Sequence, residues 1–222
     1  MELYLASVAP LRDEALFRTA LSRVGTARAE TVARLRPADR KRLSLGAGLL
    51  LRHALRERGL DPDAVRVEPG AHGKPYLPDV PNVCFNLSHS GEYALCAVSD
   101  YPVGCDVEKL AAPELRVAER FFAPEELALL RAEHDAAAQA RLFYRLWTLK
   151  ESFLKATGLG LSLPLDCFSV DPATMTVRQT VDGLSYRFRE YAALADCCIA
   201  VCTAFDGFPD APETVCVEEF FR

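Results

Sequence analysis

Residues 143–158, FYRLWTLKESFLKATG, constrain this chain more than any other stretch. Leu142, Leu146, Leu149 and Phe153 recur at spacings of four, three and four, the pattern of a helix that docks one face on a core. Gly158 is the expected stop and Asp135 the expected cap at the other end. A neighbouring stripe carries Trp147, Glu151 and Lys155, each four residues after the last, so an aromatic ring, a carboxylate and an ammonium line one side. Taken alone, Glu151 and Lys155 are a common and weakly stabilising surface pair. The other segments change that reading.

With 222 residues, 50% of them hydrophobic and 26% charged, the chain can bury a real core as one large domain or two small ones. A net charge of −5 argues against an extended nucleic-acid surface. The N-terminal MELYLASVAP has no basic region and no sustained apolar core, so it is not a signal peptide, and no run is long enough to span a bilayer. A cytoplasmic location with no membrane partner is expected. The eight cysteines include no CxxC pair, and they read as small buried hydrophobes rather than as a zinc or disulfide framework.

In order, the pattern predicts a strand at 2–8, a helix from Pro10 to about Val24, a second helical stretch from Glu30, and a longer helix over 38–58 stopped by Gly59. Arg40, Lys41 and Arg42 crowd the start of that helix, where cations gain nothing from the helix dipole, and an anionic ligand would explain them. Gly73-Lys74-Pro75 is a tight turn presenting a lysine. Two apolar runs, 83–87 and 93–99, read as a hairpin joined by Ser88-His89-Ser90-Gly91, a polar loop suited to phosphate. Residues 103–108, VGCDVE, form a strand that projects Asp106 and Glu108 from one face while Val107 points inward. Adjacent carboxylates repel, and a hard divalent cation is the usual compensation. A helix start at Pro124 follows, and beyond Pro164 the chain reads as strands at 167–170, 176–181, 184–189, 197–204 and 214–220.

Magnesium takes oxygen ligands from few carboxylates, with phosphate and water completing its shell. Asp106 and Glu108 supply two, Glu151 a third, and Lys155 would lie beside the phosphate so held. Lys74, His89 and the cluster at Arg42 offer further anion contacts from the first half of the chain. Together they describe a magnesium-assisted phosphoryl-transfer site between two halves.

These residues carry a resemblance. Gly73-Lys74-Pro75, the run Phe85-Asn86-Leu87-Ser88-His89-Ser90, the run Val103-Gly104-Cys105-Asp106-Val107-Glu108, Arg120-Phe121-Phe122 with Glu126, and residues 147–155, WTLKESFLK, occur in order at matching separations. In these the sequence resembles the Sfp-type 4′-phosphopantetheinyl transferases across nearly its whole length. The resemblance implies an α+β fold of the α/β type, with two pseudo-symmetric halves, each a sheet packed on helices, and coenzyme A in the cleft between them. The halves are expected at 1–102 and 103–222, with a break near Pro102.

The resemblance further implies transfer of the 4′-phosphopantetheine arm of coenzyme A to a serine of an apo acyl or peptidyl carrier protein, releasing adenosine 3′,5′-bisphosphate. Carrier domains of polyketide, non-ribosomal peptide or fatty acid synthases are the implied partners, with a tie to secondary metabolism. A monomer is implied. Asp106, Glu108 and Glu151 match magnesium ligands, Lys155 a phosphate contact, and Lys74, Ser88 and His89 coenzyme A contacts, His89 at the 3′-phosphate. Arg42 and Ser44 fall in the segment matching adenosine-phosphate contacts, and a further cation upstream, Arg28, is not placed by the motifs. Glu151 is the candidate base for the carrier serine, directly or through a water, and a water alone is the alternative. Two other classes share some of these features: a magnesium-dependent nuclease, and a carrier-binding module without catalysis.

Overall fold

The computed structural model describes residues 1–221. Strand β1 (Glu2–Ser7) is followed by a 3₁₀ turn at Ala9–Arg12 and by α1 (Glu14–Leu21), α2 (Thr26–Arg34) and α3 (Ala38–Glu57). The helix expected from Pro10 is split at Asp13, whose carboxylate accepts the Leu16 N–H at 2.7 Å and caps α1 instead. Short β2 (Glu68–Pro69) and β3 (Pro75–Tyr76) pair, then β4 (Cys84–Ser90), β5 (Tyr93–Ser99) and β6 (Val103–Lys109). Next come α4 (Leu115–Phe121), α5 (Pro124–Ala132) and α6 (Ala136–Thr157), then β7 (Ser169–Asp171), β8 (Thr176–Arg178), β9 (Arg187–Glu190), β10 (Cys197–Thr203) and β11 (Glu213–Thr214).

The main sheets have orders β11-β1-β5-β4 and β6-β10-β9-β8-β7. One face of the first sheet packs on α3 through Tyr4, Ala6, Ala94 and Cys96 against Leu45, Leu49 and Leu50. One face of the second packs on α6 through Phe188, Ala200 and Cys202 against Leu146, Leu149 and Phe153. The two inner faces meet in a third core of Leu3, Leu5, Leu95, Ala97, Val103, Cys105, Val107, Ile199 and Val201. The architecture is therefore α+β, each sheet covered by one long helix. Strict alternation serves this well: in β6 the odd positions enter the core between the sheets, while Gly104, Asp106 and Glu108 face α6.

Two expectations are corrected. Residues 88–90 are not a loop. They are the end of β4, paired as Ser88 with Leu95, His89 with Ala94 and Ser90 with Tyr93, so their backbone donors serve the sheet or its edge, and Gly91 at φ +60° makes the turn. Residues 214–220 are not one strand either. Only Glu213–Thr214 pairs, in parallel with β1, and a 3₁₀ helix follows over Val217–Phe221. Val215, Val217 and Phe220 join the first core beside α3, so the last stretch of chain returns to the N-terminal half.

The second half holds a fully buried ion pair. Lys150 Nζ donates to Glu126 Oε1 at 2.8 Å and to the Phe168 carbonyl at 2.9 Å, and lies 4.2 Å from the centre of the Phe168 ring. Glu126 also accepts the backbone N–H groups of Ala123 and Val170 at 2.8 and 2.7 Å. Burial lowers the Lys150 pKa, with the Glu126 charge opposing. The pair ties α5, α6 and β7 together and fixes the rotation of α6. Lys150→Met strands the Glu126 carboxylate without its cation and should cost about 3–5 kcal/mol of stability, measured by urea unfolding.

Candidate active site

The site forms where β6 lies alongside β4. One edge of β6 pairs with β10, so the N–H groups of Cys105, Val107 and Lys109 point to the other edge. There β4 answers with side chains rather than backbone. Asn86 Oδ1 accepts from Cys105 at 2.8 Å, Ser88 Oγ from Val107 at 3.3 Å, and Ser90 Oγ from Lys109 at 3.1 Å. The same hydroxyls turn their protons to the acids: Ser88 donates to Asp106 Oδ1 at 2.7 Å and Ser90 to Glu108 Oε2 at 2.8 Å.

Helix α6 lies close over β6. A Cβ on Gly104 would run into the Ser152 carbonyl oxygen and the Ala156 nitrogen, so only glycine admits this approach. Two residues along, Asp106 meets Lys155, whose Nζ donates to Asp106 Oδ1 at 2.5 Å and to Ser88 Oγ at 3.0 Å. Asp106 Oδ2 is buried with no hydrogen-bond partner. Arg28, Ala47, Pro75, Leu87, Ser88, His89, Asp106, Glu108, Trp147, Glu151 and Lys155 line a cavity of about 450 Å³. A second cavity of about 630 Å³ shares Arg28 and Pro75 and adds Gly48, Arg52, Arg66, Val67, Glu68 and Gly73.

The electrostatics reflect crowding. Burial, and then the Asp106 charge, push the Glu108 carboxyl up to about 7, with Ser90 and Lys155 opposing. Burial and Asp106 raise Glu151 as well. For Lys155, burial would lower the pKa, but Asp106, Cys105 and Glu151 overturn this and the net shift is upward. His89 opens to the cavity, and desolvation lowers its pKa, assisted by Lys155 and Arg28 and opposed by its own backbone contact and Asp106.

Among the predicted site residues, Ser88, His89, Asp106, Glu108, Glu151 and Lys155 share this cavity. Lys74 is not in its lining. Its ammonium donates instead to the carbonyls of Val103 at 2.9 Å and Ala156 at 3.3 Å, strapping the turn before β3 to β6 and the end of α6. Burial lowers its pKa. Arg42 pairs with Asp39 on its own helix, and Ser44 is buried within α3, so neither reaches the cavity. Arg28, which the motifs left unplaced, lines both cavities and has its pKa lowered by burial. Gly48 makes room for it, since a Cβ there would meet Arg28 Cγ at 2.9 Å. A glycine inside a helix facing an arginine-bearing neighbour was the available signal.

Among the described residues, no three acids, histidines or cysteines already converge as a closed ion cage. The donor chemistry nonetheless fits a hard cation. Three carboxylates crowd one wall, two have raised pKa values, and one buried oxygen has no partner.

Residues 102–202 match the family model described as the 4′-phosphopantetheinyl transferase superfamily, and residues 9–100 match the N-terminal model of 4′-phosphopantetheinyl transferase. A 4′-phosphopantetheinyl transferase of Bacillus subtilis is 40% identical over 185 residues, covering 82% of both chains. The chain belongs to the Sfp-type 4′-phosphopantetheinyl transferase family. A second relative, 4′-phosphopantetheinyl transferase Sfp of Bacillus subtilis strain 168, is 37% identical over 184 residues and again covers 82% of both chains. The mouse L-aminoadipate-semialdehyde dehydrogenase-phosphopantetheinyl transferase is 34% identical over 152 residues, 61% of this chain and 49% of that one. The chain is thus an enzyme of the transferase class. Among the described residues, no helix is long and apolar enough to cross a membrane.

Two outcomes follow from this geometry. Gly104→Ala should destabilise the protein by at least about 3 kcal/mol, because backbone on both sides must move; thermal unfolding measures it. In the metal-free enzyme, folded Glu108 holds a proton that the unfolded chain releases from its ordinary 4.5 upward. The Glu108 contribution to stability therefore falls as pH rises from 4.5 to about 7 and is gone above that. The melting temperature of wild type relative to Glu108→Gln should decline across that window.

Proposed function

We propose that this enzyme moves the 4′-phosphopantetheine arm of coenzyme A onto a serine of an apo acyl or peptidyl carrier protein, with release of adenosine 3′,5′-bisphosphate. The observation that carries the reading is the single cavity that brings Asp106, Glu108, Glu151 and Lys155 together with Arg28 and His89. An anion with several phosphates suits a cavity that offers both acids able to hold a cation and cationic side chains of its own. The neighbouring cavity through Arg28 and Pro75 gives room for an adenosine. Magnesium bound by Asp106, Glu108 and Glu151 would neutralise pyrophosphate charge as it develops.

In the transfer, the serine oxygen forms a bond to the β-phosphorus and the bridging oxygen leaves on the adenosine product. Glu151, whose pKa burial and then Asp106 raise, takes the serine proton directly or through a water. Lys155, kept cationic by Asp106, faces the transferring phosphate and protonates or stabilises the leaving oxygen. Arg28 and His89 orient the adenosine phosphates. Lys74, strapped to carbonyls, supports the turn at Pro75 rather than contacting phosphate through its ammonium.

The test is intact-mass analysis of an apo carrier protein incubated with the enzyme, coenzyme A and magnesium. A mass gain of one phosphopantetheine with matching adenosine bisphosphate is expected. No gain across a panel of acyl and peptidyl carriers would sink the proposal, and nucleic-acid cleavage independent of coenzyme A would favour a nuclease. Asp106→Ala, Glu108→Ala and Glu151→Ala should each lower kcat/KM by roughly 10²-fold or more. Turnover near wild type in the Glu151 variant would leave water as the base.

A further inference from the structure

We infer that Ser90 is a positioning residue for the divalent cation: it aims Glu108 at the cavity without lining the cavity itself. The inference rests on the proposed holding of a cation by Asp106, Glu108 and Glu151. Ser90 is absent from the cavity lining, whereas Glu108 is part of it. The hydroxyl makes two contacts of opposite sense, accepting the Lys109 N–H at 3.1 Å and donating to Glu108 Oε2 at 2.8 Å.

A hydroxyl has one proton and free rotation about its C–O bond. The Lys109 N–H occupies a lone pair and turns the Ser90 proton toward the carboxylate. One oxygen of Glu108 is thereby anchored, and the other is left without a side-chain partner to pin it back. Without the anchor, a long carboxylate near the end of a strand samples several rotamers, and each ligand-competent encounter must first order it. Ser88 makes the same pair of contacts two residues earlier, 3.3 Å from the Val107 nitrogen and 2.7 Å from Asp106 Oδ1, but its hydroxyl also receives Lys155 and lines the cavity. Ser90 is therefore the cleaner probe, because it touches the site only through Glu108. Ser88 fixes Asp106 and Ser90 fixes Glu108, so these two carboxylates are set by a repeat in β4 rather than by the helix that completes the site.

The experiment is a titration of the folded enzyme with manganese(II), with coenzyme A present and no carrier protein, read by calorimetry and by quenching of Trp147, the single tryptophan. Coenzyme A affinity is measured separately in chelator. Ser90→Ala should weaken manganese binding roughly tenfold to a hundredfold, the range for supports behind a metal ligand. Ser90→Thr, which keeps the hydroxyl, should restore most of it, and coenzyme A affinity in chelator should not change. Ser90→Cys, of similar size with weaker hydrogen bonds, should fall between, and serves if the alanine variant does not fold. Unchanged manganese affinity in Ser90→Ala or Ser90→Cys overturns the inference and leaves the hydroxyl as an acceptor for the strand edge alone. Wild-type binding that is not saturable, or that Glu108→Ala leaves intact, removes the cation reading itself and this inference with it.

Discussion

Strand β6 has a donor-bearing edge that no backbone covers, and the rest of the protein is arranged around satisfying it. Cys105, Val107 and Lys109 each direct an N–H away from β10. Leaving the buried N–H of Cys105 or Val107 without an acceptor would cost about 1–3 kcal/mol each. Asn86, Ser88 and Ser90 meet them from every second position of β4. Side chains reach further than carbonyls do, so the sheets join at this seam without becoming one continuous sheet. The joint is wide enough for a cavity to open above it.

The same seam concentrates charge. Gly104 lets α6 settle on the strand, and that closeness brings Lys155 onto Asp106 and Glu151 into the neighbourhood of both acids. Burial and mutual repulsion raise Glu108 and Glu151, and the Lys155 ammonium that bonds Asp106 does not balance all three carboxylates. The folded state thus holds an electrostatic deficit that an added cation relieves. The deficit is tolerable because the second core and the Lys150–Glu126 pair hold α6 in place.

Much of this was legible in the sequence. The seam of Leu146, Leu149 and Phe153 located the helix face, Asp135 and Gly158 its ends, and the spacing of Asp106 and Glu108 their shared direction. These are local consequences of helix and strand periods. What was not legible depended on partners far along the chain. Ser88-His89-Ser90 has the composition of a turn, and only pairing with β5 and the exposed edge of β6 makes it strand. Lys74 has the look of a ligand-binding lysine in a glycine turn, yet two carbonyls from other elements claim its ammonium. The cluster of Arg40, Lys41 and Arg42 suggested an anion, whereas Arg42 answers Asp39 one turn away. Arg28 shows the converse: nothing near it in sequence marks it, and its place depends on a missing side chain at Gly48.

The return of residues 213–221 to the first core has a consequence for how the chain acquires its shape. β11 lies beside β1, and Val215, Val217 and Phe220 fill space between that strand and α3. Strand β1 is thus completed by a segment made long after it, with β6, α6 and β10 threaded between them. During synthesis the N-terminal half can collapse but cannot close, since part of its interior has not yet left the ribosome. Completion of the first core waits on residues 213–221. The first core should therefore complete only after the segments of the second have been made.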